Sequence, residues 1–529
     1  MGIEGLWQAI APAADHRSLT ELLTTEALKR IENGERLPVV GVDASPLMFQ
    51  AQGVAIQYRF LVTLLEQWIQ TPALFHIVFD GPHRPPRKRG RAVRPQVQQQ
   101  HYLTGGFREL IDAFGFTSSI APGEAEAELA LMNVEGHVDY VLTPDSDIFL
   151  FGALNVIRPP HSEEDWDHIE VYTPGSLQNQ DPGALSQAGI LFLAVVAGGD
   201  YNPVGLEGCG FVTAYRLAQT TDLPQMLERA AKDANATEQL ARFRNELQRE
   251  LLENPHLESK RPSTASKLAS NNFPDPLVVC QYANPTTSAS TAPRPQILNL
   301  AEIKLPNSVL FVCQACRLLQ WKWPQVLGTL DGSIWPGHCM REIIQAKYSG
   351  INFQIADAET CATANGLGSH AMSGITQRED TTREPGASPT FKYYGVKVRV
   401  SCVKVPAMKE YERETGINPD PKKMMRRSAV LWIPAPILSK VYPELVFEHL
   451  RDMHRGRRQD SPVRVRSRSA SPRSSCRQRT SSAPIAERSP SIEVSSPKLG
   501  DEIYARVRKN TLVTTNQHTQ ALQAREKVY

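Results

Sequence analysis

The sequence predicts an α/β core on a mixed, mainly parallel sheet, followed by a small α+β domain and a disordered basic tail. Three observations carry this. Apolar runs alternate with helical patterns through the first two hundred residues, a strictly alternating run returns near residue 394, and beyond residue 452 Arg, Ser and Pro replace apolar content.

Each element follows from its residues. Ser18 to Glu32 has helical apolar spacing, and Pro38-Val-Val-Gly-Val-Asp43 is a short buried strand ending in a carboxylate. Tyr58 to Gln70 is a second helix and Leu74-Phe-His-Ile-Val-Phe-Asp80 a second strand. Phe107 to Phe114 is a third helix, and the strand Asp139-Tyr-Val-Leu-Thr143 runs into Pro144-Asp145-Ser-Asp147. All three strands deliver Asp near their carboxyl ends, the edge where open α/β sheets place ligands. Gly189 to Ala197 is apolar nearly all round, as a helix buried beneath the sheet would be. Helical spacing continues from Leu223 to Leu257, Lys260 to Asn272 reads as a polar break, and helices resume to about Tyr348. Ile351 to Ala356 reads as a strand and 361–388 as a loop rich in Gly, Ser and Thr. Tyr394 to Val405 alternates as a half-buried strand, Ala429 to Pro434 is another, and Ala435 to Asp452 is a closing helix.

A chain of 529 residues predicts three or four domains at roughly 150 residues each. Hydrophobic residues make up 41%, enough for globular folding, yet no run of 18 apolar residues exists to cross a bilayer. The opening Met1-Gly-Ile-Glu-Gly-Leu-Trp7 has no basic stretch leading into an apolar one, and Leu6 stands where a myristoylation signal has Ser or Thr. Neither a secretory nor a lipid-anchored chain is expected. Eight cysteines without regular spacing fit a reducing compartment. Cys313 and Cys316 have C-x-x-C spacing that His338 and Cys339 could complete as a zinc site. Their surroundings read more simply as a buried helix with two inert core cysteines.

The net charge of +2 hides an asymmetry. Residues 451–529 hold 17 Lys and Arg against 7 Asp and Glu, a local +10, so the first 450 residues stand at −8. Within that acidic body Arg84, Arg87, Lys88, Arg89, Arg91 and Arg94 form a cluster free of carboxylates, on a stretch that Pro85, Pro86 and Gly90 make a loop. Both basic regions suit a polyanion.

Seven carboxylates stand out by position: Asp43, Asp80, Glu124, Glu126, Asp145, Asp147 and Asp200. Singly, each reads as a turn residue or a first-turn acid favoured by the helix dipole. Gathered, they would repel unless hard cations joined them. Oxygen-only ligands without His or Cys select Mg²⁺, or Mn²⁺ in its place, over zinc. Two such ions about 4 Å apart activate water and stabilise the leaving oxygen in phosphoryl displacement. The cluster at 84–94 would meet the scissile phosphate or its neighbours.

In order, Met1 to Trp7, the VDAS run at Asp43, FDG at Asp80, APGEAEAE at Glu124 and Glu126, TPDSD at Asp145 and Asp147, and GGDYN at Asp200 resemble the XPG and flap-endonuclease superfamily, with its PIN-like nuclease fold, over roughly 1–300. The resemblance implies that the seven acids are metal ligands and divides the core into an N-terminal region, 1–106, and an internal region, 107–200. Within the basic cluster it implies Lys88 and Arg91 as the catalytic candidates, with Arg87 and Arg94 as runners-up. Glu128 falls outside the family pattern and reads as surface charge. Gly205, Gly208 and Gly210 with the following helix resemble the helix-two-turn-helix that grips duplex backbone, opening a unit over 201–348, and a monovalent cation could sit there. Gly2, Arg84, Arg87, Arg89, Arg94 and Arg216 are the remaining DNA-contact candidates. Phe211 stands where the family often has a cation.

The step from Asp200 to Gly208 is more like the GEN/Yen class of Holliday-junction resolvases, and the stretch 84–106, with three prolines, is too short for a helical arch that threads a free 5′ end. Residues 350–452 resemble the chromodomain-like module of that class. Tyr393, Tyr394 and Trp432 could line a methyl-lysine cage but read more simply as core. The resemblance implies a Mg²⁺-dependent endonuclease that resolves four-way junctions and cuts 5′ flaps in recombination and repair, leaving 5′-phosphate and 3′-hydroxyl ends. The alternatives are a flap or bubble endonuclease without junction resolution, a noncatalytic DNA-binding scaffold, and an RNA-processing factor suggested by the Arg-Ser run at 464–469. A monomer in solution, paired on the junction and bound to no membrane, is expected. In the tail, 453–529, Ser461, Ser471, Ser489 and Ser496 each precede proline and suit a proline-directed kinase. Four phosphates at about −1.5 to −2 each would offset most of the +10. Arg455-Gly-Arg-Arg458 suits nuclear import, so a nuclear location is expected.

Overall fold

The computed structural model describes residues 2–459 apart from 55, 86, 89–90, 93–99, 160–166, 179–184, 234–235, 254–255, 257–259, 271–272, 292–298, 350–371, 381–391 and 420–427. The tail serines 461, 471, 489 and 496, Arg89, Arg94 and the strand expected at 351–356 therefore lie outside the described residues.

In chain order the strands are β1 (Asp15–Ser18), β2 (Val39–Asp43), β3 (Leu74–Phe79), β4 (Arg87–Lys88), β5 (Arg91–Ala92), β6 (Thr117–Ile120), β7 (Tyr140–Leu142), β8 (Val156–Arg158), β9 (His168–Tyr172), β10 (Met372–Asp380), β11 (Lys392–Arg399) and β12 (Ser428–Pro434). Seven of them form one sheet in the order β1-β9-β8-β7-β2-β3-β6. Its centre, from β8 to β6, is parallel, and β9 and β1 close one side antiparallel. The mixed, mainly parallel sheet is thus the one expected. Every residue of β2 and β3 is buried, as continuous apolar runs covered on both faces must be. β6 reads Thr-Ser-Ser-Ile at an edge and β8 has three residues, too short and too polar for periodicity to reveal.

The helix Leu19–Asn33 starts where the Ser18 side chain accepts from Glu21 N and stops at Gly34, φ 71°. Ala44–Gln52, Gln57–Ile69, Thr104–Ala113 and Ala125–Val134 also flank the strands. Gln187–Val196 is buried from Ala188 onward. It packs chiefly on the helices Asp147–Leu150, Phe211–Thr220, Leu223–Lys232 and Pro276–Ala283, so other helices, and not the sheet as expected, enclose its apolar surface. No described helix is long and apolar enough to cross a membrane.

Four further expectations are corrected. The polar break contains a helix, Pro262–Ser270, whose Thr264, Ala265 and Leu268 are buried. Residues 372–380 of the expected loop are β10, antiparallel to β11, a pairing that local composition does not announce. The run from Tyr394 is a strand only to Arg399; Ser401–Thr415 is a helix with Lys404, Ala407 and Tyr411 buried, a spacing that fits a helix face. The closing helix is two, Ala435–Val441 and Pro443–Gln459, because proline disfavours a helical conformation in the residue before it, here Tyr442. The three-stranded sheet β10-β11-β12 places Tyr394 in its core, edge-on to His449 at 5.9 Å.

Candidate active site

Strand ends assemble the acids. Asp43 closes β2, and its Oδ1 accepts from Ser45 N at 2.9 Å, starting the helix Ala44–Gln52. Ser45 Oγ donates to Asp80 Oδ2 at 2.7 Å, just past β3. Asp80 Oδ1 accepts from Ala125 N at 3.0 Å, so the Asp80 carboxylate caps the helix that carries Glu124 at its start and Glu126 in its first turn. That helix N-terminus favours negative charge. Asp145 and Asp147 follow β7, where Asp147 N donates to Asp145 Oδ1 at 3.2 Å. Asp200 sits in the turn after the helix Gln187–Val196. All except Asp80 are buried.

A single ammonium draws three of them together. Lys88, on the short hairpin of β4 and β5, places Nζ 2.9 Å from Glu124 Oε1, 3.4 Å from Glu126 Oε1 and 3.2 Å from Asp200 Oδ2. Its side chain is 28% exposed, which puts the charge at the mouth of the cluster. Burial opposes that charge, but Glu126, Glu124, Asp200 and Asp145 outweigh it and hold the Lys88 pKa well above the usual lysine range. Burial, then neighbouring carboxylates, raise Asp43 and Asp147 well above the usual carboxylate range; burial also raises Glu126, against the pull of Lys88. Asp43 Oδ2, Glu126 Oε2 and Asp147 Oδ1 are buried with no hydrogen-bond partner. Unpartnered, mutually repelling oxygens of this kind are what hard divalent cations satisfy.

Neighbours that motif spacing did not reveal hold the cluster. Tyr201 Oη donates to Glu124 Oε2, and the Tyr201 ring stacks on Tyr282 at 4.3 Å. Tyr282 Oη in turn accepts from Tyr201 N at 2.9 Å. Glu128, expected at the surface, is 8% exposed and accepts from Ser288 N at 2.8 Å. One helical turn from Glu124 points it at a segment 160 residues onward, contact that sequence spacing cannot register. Gly2 takes φ 82°, and a Cβ there would stand 2.4 Å from Asp145 Oδ1 and 2.6 Å from Asp147 Oδ1. The opening residues thus line the carboxylate site, with Ile3 N bonded to Ser146 Oγ and Trp7 Nε1 to Pro144 O, both at 3.0 Å.

The other candidates are more dispersed. Arg84 donates to Asp80 Oδ2 at 3.0 Å. Arg87 and Arg91 lie on β4 and β5, with their side chains outside the described residues. Gly205 and Gly208 have φ of 58° and 91°; a Cβ on Gly208 would meet Thr264 Oγ1 at 2.6 Å, whereas Gly210, at the start of the helix Phe211–Thr220, faces open space. Gly208 is therefore required by its own fold. Phe211 packs against Gly5 and stacks with Tyr215 at 5.6 Å, and Arg216 is exposed on the same helix. His338 bonds Pro306 O and Cys339 is buried in the helix Trp335–Tyr348. Among the described residues neither joins Cys313 in a ligand group, so the zinc site through His338 and Cys339 does not form. Cys313 and Cys316 are half-buried, not core.

Residues 115–200 match the XPG I-region. The chain is 28% identical over 254 residues to the mouse (Mus musculus) protein named flap endonuclease GEN homolog 1; the match covers 43% of this chain and 26% of that one. It thus spans about a quarter of the relative's length. A crystal structure described as the Holliday junction-resolving enzyme GEN1 with product DNA and Mg²⁺ overlays with a TM-score of 0.58 at 21% identity, covering 86% of this chain and all of that one. A second GEN-1 structure, binding cesium, overlays at 0.60 with 21% identity and the same coverage. At such identity the likeness is one of fold. By its matched sequence, the chain carries an XPG I-region and is homologous to the GEN1 and Rad2/XPG proteins.

Proposed function

We propose that this chain is a divalent-metal-dependent, structure-specific DNA endonuclease that resolves four-way junctions by paired nicks and cuts 5′ flaps. The observation that carries the reading is the set of buried carboxylates round Lys88, three of whose oxygens lack any partner. Homology to proteins named as GEN flap endonucleases supports the substrate class.

Asp43, Asp80, Glu124, Glu126, Asp145, Asp147 and Asp200 would hold two Mg²⁺ ions, with Mn²⁺ able to replace them. Bound there, the ions would supply Lewis-acid activation of water and of the departing oxygen. The chain's own residues do the rest. Asp80 fixes the helix bearing Glu124 and Glu126, Tyr201 and Glu128 hold that helix in place, and burial excludes bulk water. Lys88 at the mouth offers its ammonium to the phosphate as negative charge develops. Arg84, Arg87, Arg89, Arg91 and Arg94 and the turn at Gly205, Gly208 and Gly210 would contact the DNA backbone, and we assign a monovalent cation to that turn, a relative's structure described as binding cesium being in keeping with such an ion. The 5′-phosphate stays on one product and the other ends in a 3′-hydroxyl. We further read the β10–β12 unit as the chromodomain-like module, the chain as nuclear, and the tail serines as targets of a proline-directed kinase.

The test incubates the purified chain and Mg²⁺ with end-labelled four-way junction, 5′ flap and linear duplex. Symmetric, ligatable nicks in the junction are expected, with duplex left intact. Flap cleavage with an uncut junction would replace this reading by that of a flap endonuclease alone.

A further inference from the structure

Two helices outside the nuclease site present a different donor set to each other. Ser308–Leu319 carries Cys313 and Cys316, and Ser401–Thr415, which packs against it, carries Glu410 and Glu414. Spacings of three and four residues place each pair on one helix face. Cys313 Sγ stands 3.8 Å from Glu414 Oε1. Cys313 Sγ, a Glu410 oxygen and a Glu414 oxygen all lie within 4.8 Å of one another, the only such group among the described residues. The carboxylates of the nuclease site spread wider, round the Lys88 ammonium. Cys316, one turn on along the same face, stands just outside that group.

We propose that Cys313, Cys316, Glu410 and Glu414 form a zinc site that pins the helix Ser401–Thr415 of the C-terminal unit to the nuclease body. Tetrahedral Zn²⁺ takes thiolate at about 2.3 Å and carboxylate oxygen at about 2.0–2.2 Å, so its ligands stand about 3.3–3.8 Å apart. Contraction by about 1 Å, within reach of side-chain rotation, brings Cys313, Glu410 and Glu414 from their observed spread of at most 4.8 Å to that spacing, and Cys316 enters as the fourth ligand by rotation from the next turn of the same face. Two sulfurs select Zn²⁺ over Mg²⁺ or Ca²⁺, whereas the oxygen-only nuclease site has the opposite preference. Each thiol gives up a proton to solvent on binding, so affinity rises with pH. The site staples parts distant in sequence, because Ser308–Leu319 also rests on Thr104–Ala113 through Phe311 against Phe114 at 5.6 Å and through the Arg317–Glu109 ion pair. Arg413 competes, since its guanidinium reaches both Glu410 and Glu414 at 2.5 Å.

The experiment titrates the reduced, chelator-treated full chain with Co²⁺ as the spectroscopic stand-in for Zn²⁺. One equivalent should produce an intense thiolate-to-cobalt charge-transfer band and tetrahedral visible bands, both bleached by equimolar Zn²⁺. Cobalt held by oxygens alone at the nuclease site yields no charge-transfer band, which separates the two sites. Cys313→Ser with Cys316→Ser should abolish the band while Mg²⁺-supported cleavage persists, showing that the variant folds. Glu410→Gln with Glu414→Gln should weaken Co²⁺ binding by at least tenfold, and Arg413→Gln should tighten it. On wild type, Zn²⁺ should shield Cys313 and Cys316 from alkylation but leave exposed Cys280 reactive. Absence of the charge-transfer band, its persistence in the double-serine variant, or equal alkylation of all three cysteines with and without Zn²⁺ would overturn the proposal.

Discussion

Lys88 sits among carboxylates that burial would otherwise set against one another, and its ammonium supplies local neutrality at the mouth of the site. Lys88→Ala should therefore act twice. Single-turnover cleavage should fall on the order of 10²-fold, the usual effect of losing a group that stabilises transition-state charge, with junction affinity nearly unchanged. The metal-free chain should also unfold at lower denaturant, since repulsion among Glu124, Glu126 and Asp200 is then uncompensated. Equal loss of affinity and rate would assign the hairpin to general backbone attraction. Glu126→Gln keeps the side-chain volume and removes one charge. Cleavage should be lost while gel-shift binding to the junction persists, because Glu126 is buried at 6% exposure and faces the cluster, not the solvent. Lost binding by a folded variant would contradict that division.

At the scale of elements, the helix Ala125–Val134 is held twice in its first turn, by Asp80 at its first amide and by Glu128 at Ser288 N. Glu128→Ala leaves a buried amide unpaired, which costs about 1–3 kcal/mol, and it frees the turn that presents Glu124 and Glu126. Urea denaturation should register the stability loss, and kcat should fall with KM little changed. Wild-type stability in this variant would show the contact to be incidental. β6 is tied to β3 through His76, whose two ring nitrogens lie 2.8 Å from Thr117 Oγ1 and Ser119 Oγ. Burial, helped by Lys304, pushes the His76 pKa down to about 4 from 6.5. A group with a depressed folded pKa stabilises the fold fully above its unfolded value and loses that contribution as pH falls through the folded one. The window is therefore pH 6.5 to 4, and the loss is at most about 3 kcal/mol. His76→Gln should flatten the fall in urea midpoint across that window, and an unchanged slope would exclude His76 as its source.

For the whole molecule the decisive question is stoichiometry. Among the described residues each chain supplies one such carboxylate cluster round Lys88, whereas clean junction resolution needs two symmetric nicks, so a chain acting as proposed would have to meet a second protomer on the DNA. No heptad pattern or broad apolar dimer stripe is written in the sequence, and the two-fold symmetry of the junction itself can impose the pairing. Analytical ultracentrifugation at low micromolar concentration should find a monomer alone and two chains per junction. A stable DNA-free dimer would refute this.

The sequence by itself determined the parallel centre of the sheet and the positions of the seven acids. Both rest on local signals: apolar runs such as Leu74–Phe79 that end in Asp, and short D-x-D and E-x-E spacings whose charge demands a cation. It read Cys313 and Cys316 chiefly as inert core cysteines, with a zinc site through His338 and Cys339 as the alternative; among the described residues the two are half-buried and that grouping does not form. What the tertiary structure decided were the relations between distant segments. Of the six clustered cations Lys88 proved to bridge Glu124, Glu126 and Asp200 while Arg84 pairs with Asp80, Glu128 turned inward toward Ser288, and Ser401–Val405 left the strand because Lys404, Ala407 and Tyr411 face the body as a helix. β10 formed inside a loop-like composition because β11 offered it an edge. Periodicity and spacing report which residues a single element can bury or present. Pairing across more than a hundred residues depends on the free energy of the assembled chain, which no local pattern encodes.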